Sequence, residues 1–427
     1  MREDEAKVPK KQADLLIEAA NELATADGGS QKPLVGKHMQ TLKIIKDAAL
    51  AIKNGEIIAV GKNTKINLRF KALQTIDASG KTVIPGFVDP HTHLVFAGSR
   101  EDEFELRLKG ASYMEIQRRG GGILKTVRQT RRASERELIE NCEKTLNVML
   151  EHGTTTLEAK SGYGLTVEDE VKCLRVLQQL NKIHPIDIVP TFLGAHAIPP
   201  EYEKRPDEYV KLIVEKMIPS VANHKLAEFC DIFCEKGVFN IKQSKQILAA
   251  GKKYGLKPKL HADELSSFGG ARLAAEIGAV SAEHLLYATD EGLKMMAERG
   301  VIAVLLPAAA FALMAGRYAN ARKMVELGVP IALGTDFNPS CLVENQQLVM
   351  ALACRQMKMT PSEALIASTI NAAHAVNRAI EVGSLEPGKK ADVLILDVPN
   401  HGFLGYRFGT NLVEKVIKEG KLVVDRE

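Results

Sequence analysis

His91-Thr92-His93 places two imidazoles two positions apart, so on an extended segment both point to one side and can reach one metal ion. A lone His-x-His pair is common by chance. His261 offers a third imidazole and Asp336 a carboxylate, a donor set that suits a metal ion and leaves a coordination position open for water. Glu264 stands three residues beyond His261, within reach of an activated water whose proton it could pass to a leaving nitrogen. His284 could polarise a carbonyl oxygen, and Asp336 could share proton handling while it holds the ion. Taken singly, Asp336 could cap a helix, Glu264 could form a salt bridge, and His261 or His284 could be hydrogen-bonded core residues. Together they point to metal-dependent hydrolysis.

These residues are far apart in the chain, so the fold must gather them. Eight short apolar runs, at 83–88, 154–159, 186–194, 232–239, 257–261, 279–284, 301–306 and 331–334, alternate with helical patterns. Five of the eleven histidines (His91, His93, His196, His261 and His284) fall at the carboxyl end of such a run, and in a barrel that end builds the active site. Strands and crossovers in this number predict an α/β protein with a (β/α)8 TIM-like barrel. Asp336 closes the eighth run, which a closed barrel sets beside the first. His38, His152, His184, His224, His374 and His401 lie in helical or connecting sequence and read as surface or packing residues.

Helix starts are legible too. Ser134 and Glu137 make a capping box ahead of Leu138, Cys142, Leu146 and Met149 on one face, and Pro361 follows Thr360 at a first helical position. Asn54-Gly55 between apolar stretches predicts a hairpin, because both residues tolerate the positive φ of a type I′ turn. A second β pattern near the C-terminus echoes it. The chain therefore divides, by expectation, into a small β-sandwich formed by 1–85 and 389–427 and a catalytic barrel over 86–388. Gly120-Gly121-Gly122 lacks the Lys-Ser/Thr of a phosphate loop and predicts a flexible loop over a site.

A chain of 427 residues that is 45% hydrophobic and 26% charged is an ordinary globular composition, long enough for one large domain with additions. Its 57 basic and 53 acidic side chains are interleaved, which offers no basic stripe to a nucleic acid. The charged start, Met1 to Glu5, has no apolar stretch behind it, and the longest apolar run is interrupted by Pro307, so neither a secretory signal nor a membrane span is expected. The six cysteines are scattered, as free thiols in a reducing cytoplasm would be; Cys230 and Cys234 read as part of an apolar strand rather than a metal pair.

The stretch from Val83 through Asp89-Pro90-His91-Thr92-His93 resembles the opening metal motif of the amidohydrolase superfamily. More particular segments, Phe96-Ala97-Gly98-Ser99-Arg100, Lys160-Ser161-Gly162-Tyr163-Gly164-Leu165, Gly194-Ala195-His196, His261-Ala262-Asp263-Glu264 and Asp336-Phe337-Asn338-Pro339, resemble the branch that acts in histidine degradation. That resemblance implies hydrolysis of 4-imidazolone-5-propanoate to N-formimidoyl-L-glutamate with one zinc or iron ion per subunit of a homodimer. By motif match, His91, His93, His261 and Asp336 would be the ligands. Arg100, Tyr163, His196 and Glu264 would contact the substrate, and Asn338, Ser340 and Cys341 would face the product. A propanoate tail calls for a cation, and the Arg100 guanidinium can hold it through two parallel hydrogen bonds.

The chain departs from that pattern in two places. Ser340-Cys341 replaces glycine followed by serine or threonine, and Pro307-Ala308-Ala309-Ala310-Phe311 replaces Pro-Gly and a small polar residue. Neither touches the ligands, and activity is expected to survive both. Three other readings follow from the same barrel. A nucleobase-type aminohydrolase would release ammonia, a binuclear enzyme would need a carbamylated lysine for which Lys160 is the candidate, and a scaffold without activity would have lost its ligands.

Overall fold

Gly86 is the hinge on which the architecture turns. In the computed structural model, which describes residues 10–111, 115, 116 and 119–426, the first predicted barrel strand is split there. Its front half, β5 (Thr82–Pro85), joins a sheet built from the two ends of the chain, and its rear half, β6 (Phe87–Thr92), opens the barrel. A Cβ at position 86 would sit 2.2 Å from Thr155 Oγ1, so only glycine lets the backbone pass this close to the second barrel strand. The charged start at Met1 to Glu5 lies outside the described residues.

The terminal sheet contains β1 (Lys11–Ala24), β2 (Ile44–Lys53), β3 (Glu56–Lys62), β4 (Phe70–Asp77) and β5, and after the barrel β14 (Val393–Leu396), β15 (Val413–Lys418) and β16 (Lys421–Asp425). The expected hairpin joins β2 to β3, with Asn54 at φ 53° and Gly55 at φ 81°, the signs a type I′ turn requires. β1 was not foreseen, since its Ala-, Leu- and Glu-rich sequence favours a helix. Pairing on both sides overrides that preference. β1 lies antiparallel to β2, and its front half pairs with β4 and its rear half with β5. The exchange of partners falls at a bulge between Ile17 and Ala20, where an extra residue bends the strand.

Alternate residues of these strands, among them Ile17, Leu50, Val83, Val393 and Ile417, form one buried cluster. The free edge of β3 is covered by the segment leading into β14, through Ile57 N donating to Lys389 O at 2.9 Å and Ala391 N to Gly55 O at 2.8 Å. The sheet thus rolls over its own core.

The second sheet has eight parallel strands in chain order, β6, β7 (Thr154–Lys160), β8 (Asp187–Ala195), β9 (Phe229–Cys234), β10 (Lys257–Ala262), β11 (Ser281–His284), β12 (Ile302–Leu305) and β13 (Ile331–Leu333). Backbone bonds close the ring beyond the strand ends, with Asp336 N donating to His91 O at 3.0 Å and His93 N to Phe337 O at 2.8 Å. The fourth strand begins and ends earlier than expected, because Glu235, Lys236 and Gly237 form a turn. Cys230 and Cys234 are buried within it, and all six cysteines are free. Helices fill the outside. Glu135–Glu151 starts at the Ser134–Glu137 capping box and buries Leu138, Cys142, Leu146 and Met149; Pro361–Ala367 starts at Thr360 with a second box. Among the described residues no helix is long and apolar enough to cross a membrane.

Glu22 on β1 fastens the two ends of the chain to each other. Its Oε1 accepts from His401 N at 2.9 Å and faces His401 Nδ1 at 2.6 Å, while Oε2 meets Lys46 Nζ at 2.7 Å. Burial alone would raise this carboxyl, but the bonds from His401 and Lys46 outweigh it and hold the pKa at about 2. Because the folded value lies below the unfolded one, this stabilisation is complete above about pH 5 and fades as pH falls toward 2. Glu22→Gln should therefore lower stability near neutral pH by about 2 kcal/mol, with the deficit against wild type narrowing in acid. Denaturant titrations at several pH values test this; a difference that stays constant down to pH 2 would refute the assignment.

Candidate metal centre and active-site cavity

The strand ends bring the four candidate ligands to one point. His91 Nε2 lies 3.3 Å and His93 Nε2 3.5 Å from Asp336 Oδ1, and His261 Nε2 lies 3.3 Å from His93 Nε2. β6 supplies the first two, β10 the third, and the turn after β13 the carboxylate. Two of the rings have their protons placed from behind. His91 Nδ1 faces Glu283 Oε2 at 3.1 Å and His261 Nδ1 faces Asp231 Oδ2 at 3.0 Å, so each Nδ1 carries the hydrogen and each Nε2 presents a lone pair. Lone pairs and a carboxylate oxygen converging this closely repel one another unless a cation lies among them. His91 Nε2 and Asp336 Oδ1 are buried without a hydrogen-bond partner. Burial also pushes the Asp336 carboxyl up to about 7 and the His91 and His93 imidazoles well below their usual range. A nitrogen and oxygen donor set of this kind fits a divalent ion such as zinc or iron.

Beneath the candidate ligands lies a network that the residue pattern did not lead us to expect. Lys160 Nζ contacts Glu158 Oε1 at 2.7 Å, Asp231 Oδ2 at 2.9 Å and Glu283 Oε2 at 3.4 Å, while Lys259 Nζ contacts Glu158 at 3.1 Å and Glu283 at 3.5 Å. All five side chains are fully buried. The signal was present as charged residues at alternate positions of otherwise apolar strands, with Glu158 and Lys160 on β7 and Lys259 and His261 on β10. This placement tells against the carbamate reading of Lys160. Carbamylation needs a free amine, and three carboxylates hold this one as ammonium, its pKa raised.

Except for His91, which lies fully buried one layer below, every residue proposed from sequence for the site lines one cavity with an empty volume of about 480 Å³ including its open mouth. Glu264 and His284 face each other there, Oε2 to Nε2 at 3.5 Å. Burial, aided by Asp336, pushes the Glu264 carboxyl up to about 8, a value suited to taking and returning a proton near neutral pH. His284 at φ 69° and Asp336 at φ 50° both occupy the left-handed region, a conformation that costs free energy in residues with side chains and gathers at functional sites.

On the opposite side His196 stacks on His93, with centroids 4.8 Å apart, and its Nδ1 meets Gly162 O at 3.0 Å. Gly162 is at φ 110°, and a Cβ there would touch Leu193 O and His196 Nδ1 at 3.0 Å. Tyr163 packs between His196, 5.1 Å away by ring centroids, and the Arg100 guanidinium at 5.9 Å. Arg100 Nε donates to Thr126 Oγ1 at 2.9 Å and Nη1 to Ser340 Oγ at 3.0 Å.

Asn338 spends its side chain on the loop itself, donating to Asp336 O at 2.7 Å and accepting from Ser340 N at 2.8 Å. The thiol of Cys341 turns to Thr335 O at 3.7 Å. The Pro307–Ala312 departure forms a short helix that puts Ala309 in the cavity wall. Gly122 N donates to Glu103 Oε1 at 2.8 Å, and Ile123 beside it lines the cavity.

A profile of the amidohydrolase family matches residues 82–423. The chain is 54% identical to the imidazolonepropionase of Geobacillus kaustophilus over 416 residues, covering 96% of this chain and 98% of that one. It is 55% identical to the imidazolonepropionase of Brevibacillus brevis, covering 96% and 97%. Among solved structures, an adenosine deaminase from Xanthomonas campestris with bound zinc superimposes with a TM-score of 0.74 at 20% identity, over 98% of this chain and 95% of that one. A 5-methylcytosine deaminase from Klebsiella pneumoniae gives 0.74 at 16% identity, over 96% and 98%. At those identities the structural likeness speaks for the fold alone, whereas the sequence matches run nearly end to end, and the chain belongs to the amidohydrolase family, among its imidazolonepropionases.

Proposed function

We propose that the protein hydrolyses 4-imidazolone-5-propanoate to N-formimidoyl-L-glutamate. The observation that carries this reading is a single cavity lined by His93, His261 and Asp336, with His91 buried against them, together with a carboxyl tuned for proton transfer and a buried guanidinium. His91, His93, His261 and Asp336 would hold one zinc or iron ion per subunit. When bound, the ion supplies Lewis acidity that makes water nucleophilic near neutral pH.

The chain's own groups do the rest. Arg100 takes the propanoate carboxylate and, with Tyr163 and His196, sets the ring in place. Glu264 Oε2 receives a proton from the water as oxygen attacks the ring carbonyl carbon, and His284 Nε2 faces the oxyanion that develops there. The carbon–nitrogen bond then breaks, and Glu264 returns the proton to the departing ring nitrogen, with Asp336 sharing the proton handling. Asn338, Ser340 and Cys341 border the product.

The proposal extends to a cytoplasmic homodimer that acts on a small carboxylate and on neither nucleic acid nor membrane. It also extends to a division into a catalytic unit over 86–388 and a terminal unit over 1–85 and 389–427, which the change of sheet at Gly86 supports.

Purified protein should contain about one zinc or iron ion per chain by elemental analysis and should remove the imidazolone absorbance without releasing ammonia. Chelation should abolish turnover and readdition restore it; full activity in stripped protein, or ammonia among the products, would overturn the reading. Glu264→Gln should lower kcat by about 10³-fold with metal content unchanged, and near-normal turnover would remove Glu264 from the reaction. Glu283→Gln should weaken metal binding by about 10- to 100-fold in competition with a chromophoric chelator, through loss of the His91 contact. Unaltered affinity would mean that Glu283 does not orient that ring.

A further inference from the structure

The guanidinium next to Arg100 has no part in the sequence reading, yet the fold brings it to the same oxygen. Arg100 immediately precedes the helix Glu101–Leu108, and Arg107 lies seven residues on, two turns along and on the same face. Arg107 Nη2 donates to Ser340 Oγ at 3.2 Å, and Arg100 Nη1 donates to that same atom at 3.0 Å. One neutral hydroxyl thus serves two cations with both of its lone pairs.

The Arg100 residue is 5% exposed and the Arg107 side chain 7%. Arg100 Nη2 is buried with no hydrogen-bond partner among the described residues. Glu103, one turn back on the same helix, accepts from Gly122 N at 2.8 Å through Oε1 and has Oε2 4.0 Å from Arg107 Nη2. Ser340 and Arg100 line the catalytic cavity, and Arg107 lines an adjoining hollow together with Glu264 and His284, which also face the catalytic one.

We propose that Arg107 is a specificity-determining residue, forming with Arg100 and the Ser340 hydroxyl a two-guanidinium clamp for the substrate's carboxylate tail. The proposal rests on the substrate reading above and deepens it. A carboxylate presents two oxygens to two donors whose positions Ser340 already sets, and an anionic acceptor in place of a neutral one turns two ion–dipole hydrogen bonds into ion pairs with charge on both partners. Tyr163, between Arg100 and the imidazoles that would hold the ion, then sets how far the tail lies from the reacting ring. The departure from glycine at 340 acquires a role in this arrangement, since the Ser340 hydroxyl accepts from both guanidiniums and glycine would offer no side-chain oxygen there.

Calorimetry on the metal-loaded protein tests the clamp, with imidazole-4-propanoate and 4-propylimidazole as probes that differ only in the carboxylate. Wild type should prefer the carboxylate. Arg107→Met should reduce that preference by about tenfold or more while 4-propylimidazole binds as before, Arg107→Lys should recover part of it, and KM for the imidazolone should rise with kcat within about threefold. A preference equal in wild type and both variants, or a loss of affinity for both probes alike in Arg107→Lys, overturns the clamp. No preference in wild type overturns the substrate reading instead.

Discussion

Everything at the mouth of the barrel depends on charges buried beneath it. Removing an ion from water costs several kcal/mol even after relaxation, so buried charges persist only where partners compensate them. Glu158, Asp231 and Glu283 bring three negative charges, and Lys160 and Lys259 two positive ones, all without exposure to solvent. The carboxylates of this network outnumber its ammonium groups by one, and Asp336 adds a further carboxyl above it, so a divalent cation among the imidazoles would offset the excess. The same network turns two of those imidazoles so that their Nε2 lone pairs face the point where an ion would lie, which would make electrostatic balance and ligand geometry one constraint rather than two.

The barrel is what makes such a balance affordable in so little space. Parallel strands aim their carboxyl ends at one opening, and inward-facing positions two apart on a strand put the charged base and the ligand one layer from each other, as Lys259 and His261 do on β10. The closure between His91 and Asp336 is made by backbone bonds of these candidate ligands themselves. The ring therefore shuts where the candidate ligands converge, and an error in barrel closure would also displace them.

Much of this was readable from residue types and spacing. The His-x-His pair, the histidines at strand ends, the Ser134–Glu137 capping box, the helix start at Pro361 and the Asn-Gly hairpin each depend on local geometry. What escaped depends on distant partners. β1 has a helix-forming composition and becomes a strand because β2, β4 and β5 pair with it. The split of the first predicted strand between two sheets at Gly86 depends on close approach to Thr155, a residue far along the chain. Lys160 could be singled out by type, but whether it is a carbamate carrier or a bridging ammonium is decided by Asp231 and Glu283, which no periodicity links to it. Arg107 went unnoticed because a charged residue late in a short polar helix has the ordinary pattern of a solvated face.

The terminal sheet has a consequence for how the chain is made. β5 finds β14 only across the whole length of the barrel, so a nascent chain would emerge with that strand's hydrogen-bonding edge bare until β14 has been synthesised. An unpaired edge is a template for association with other chains. The order of translation therefore makes the emergence of β14, rather than that of the barrel strands, the moment at which that edge can be covered.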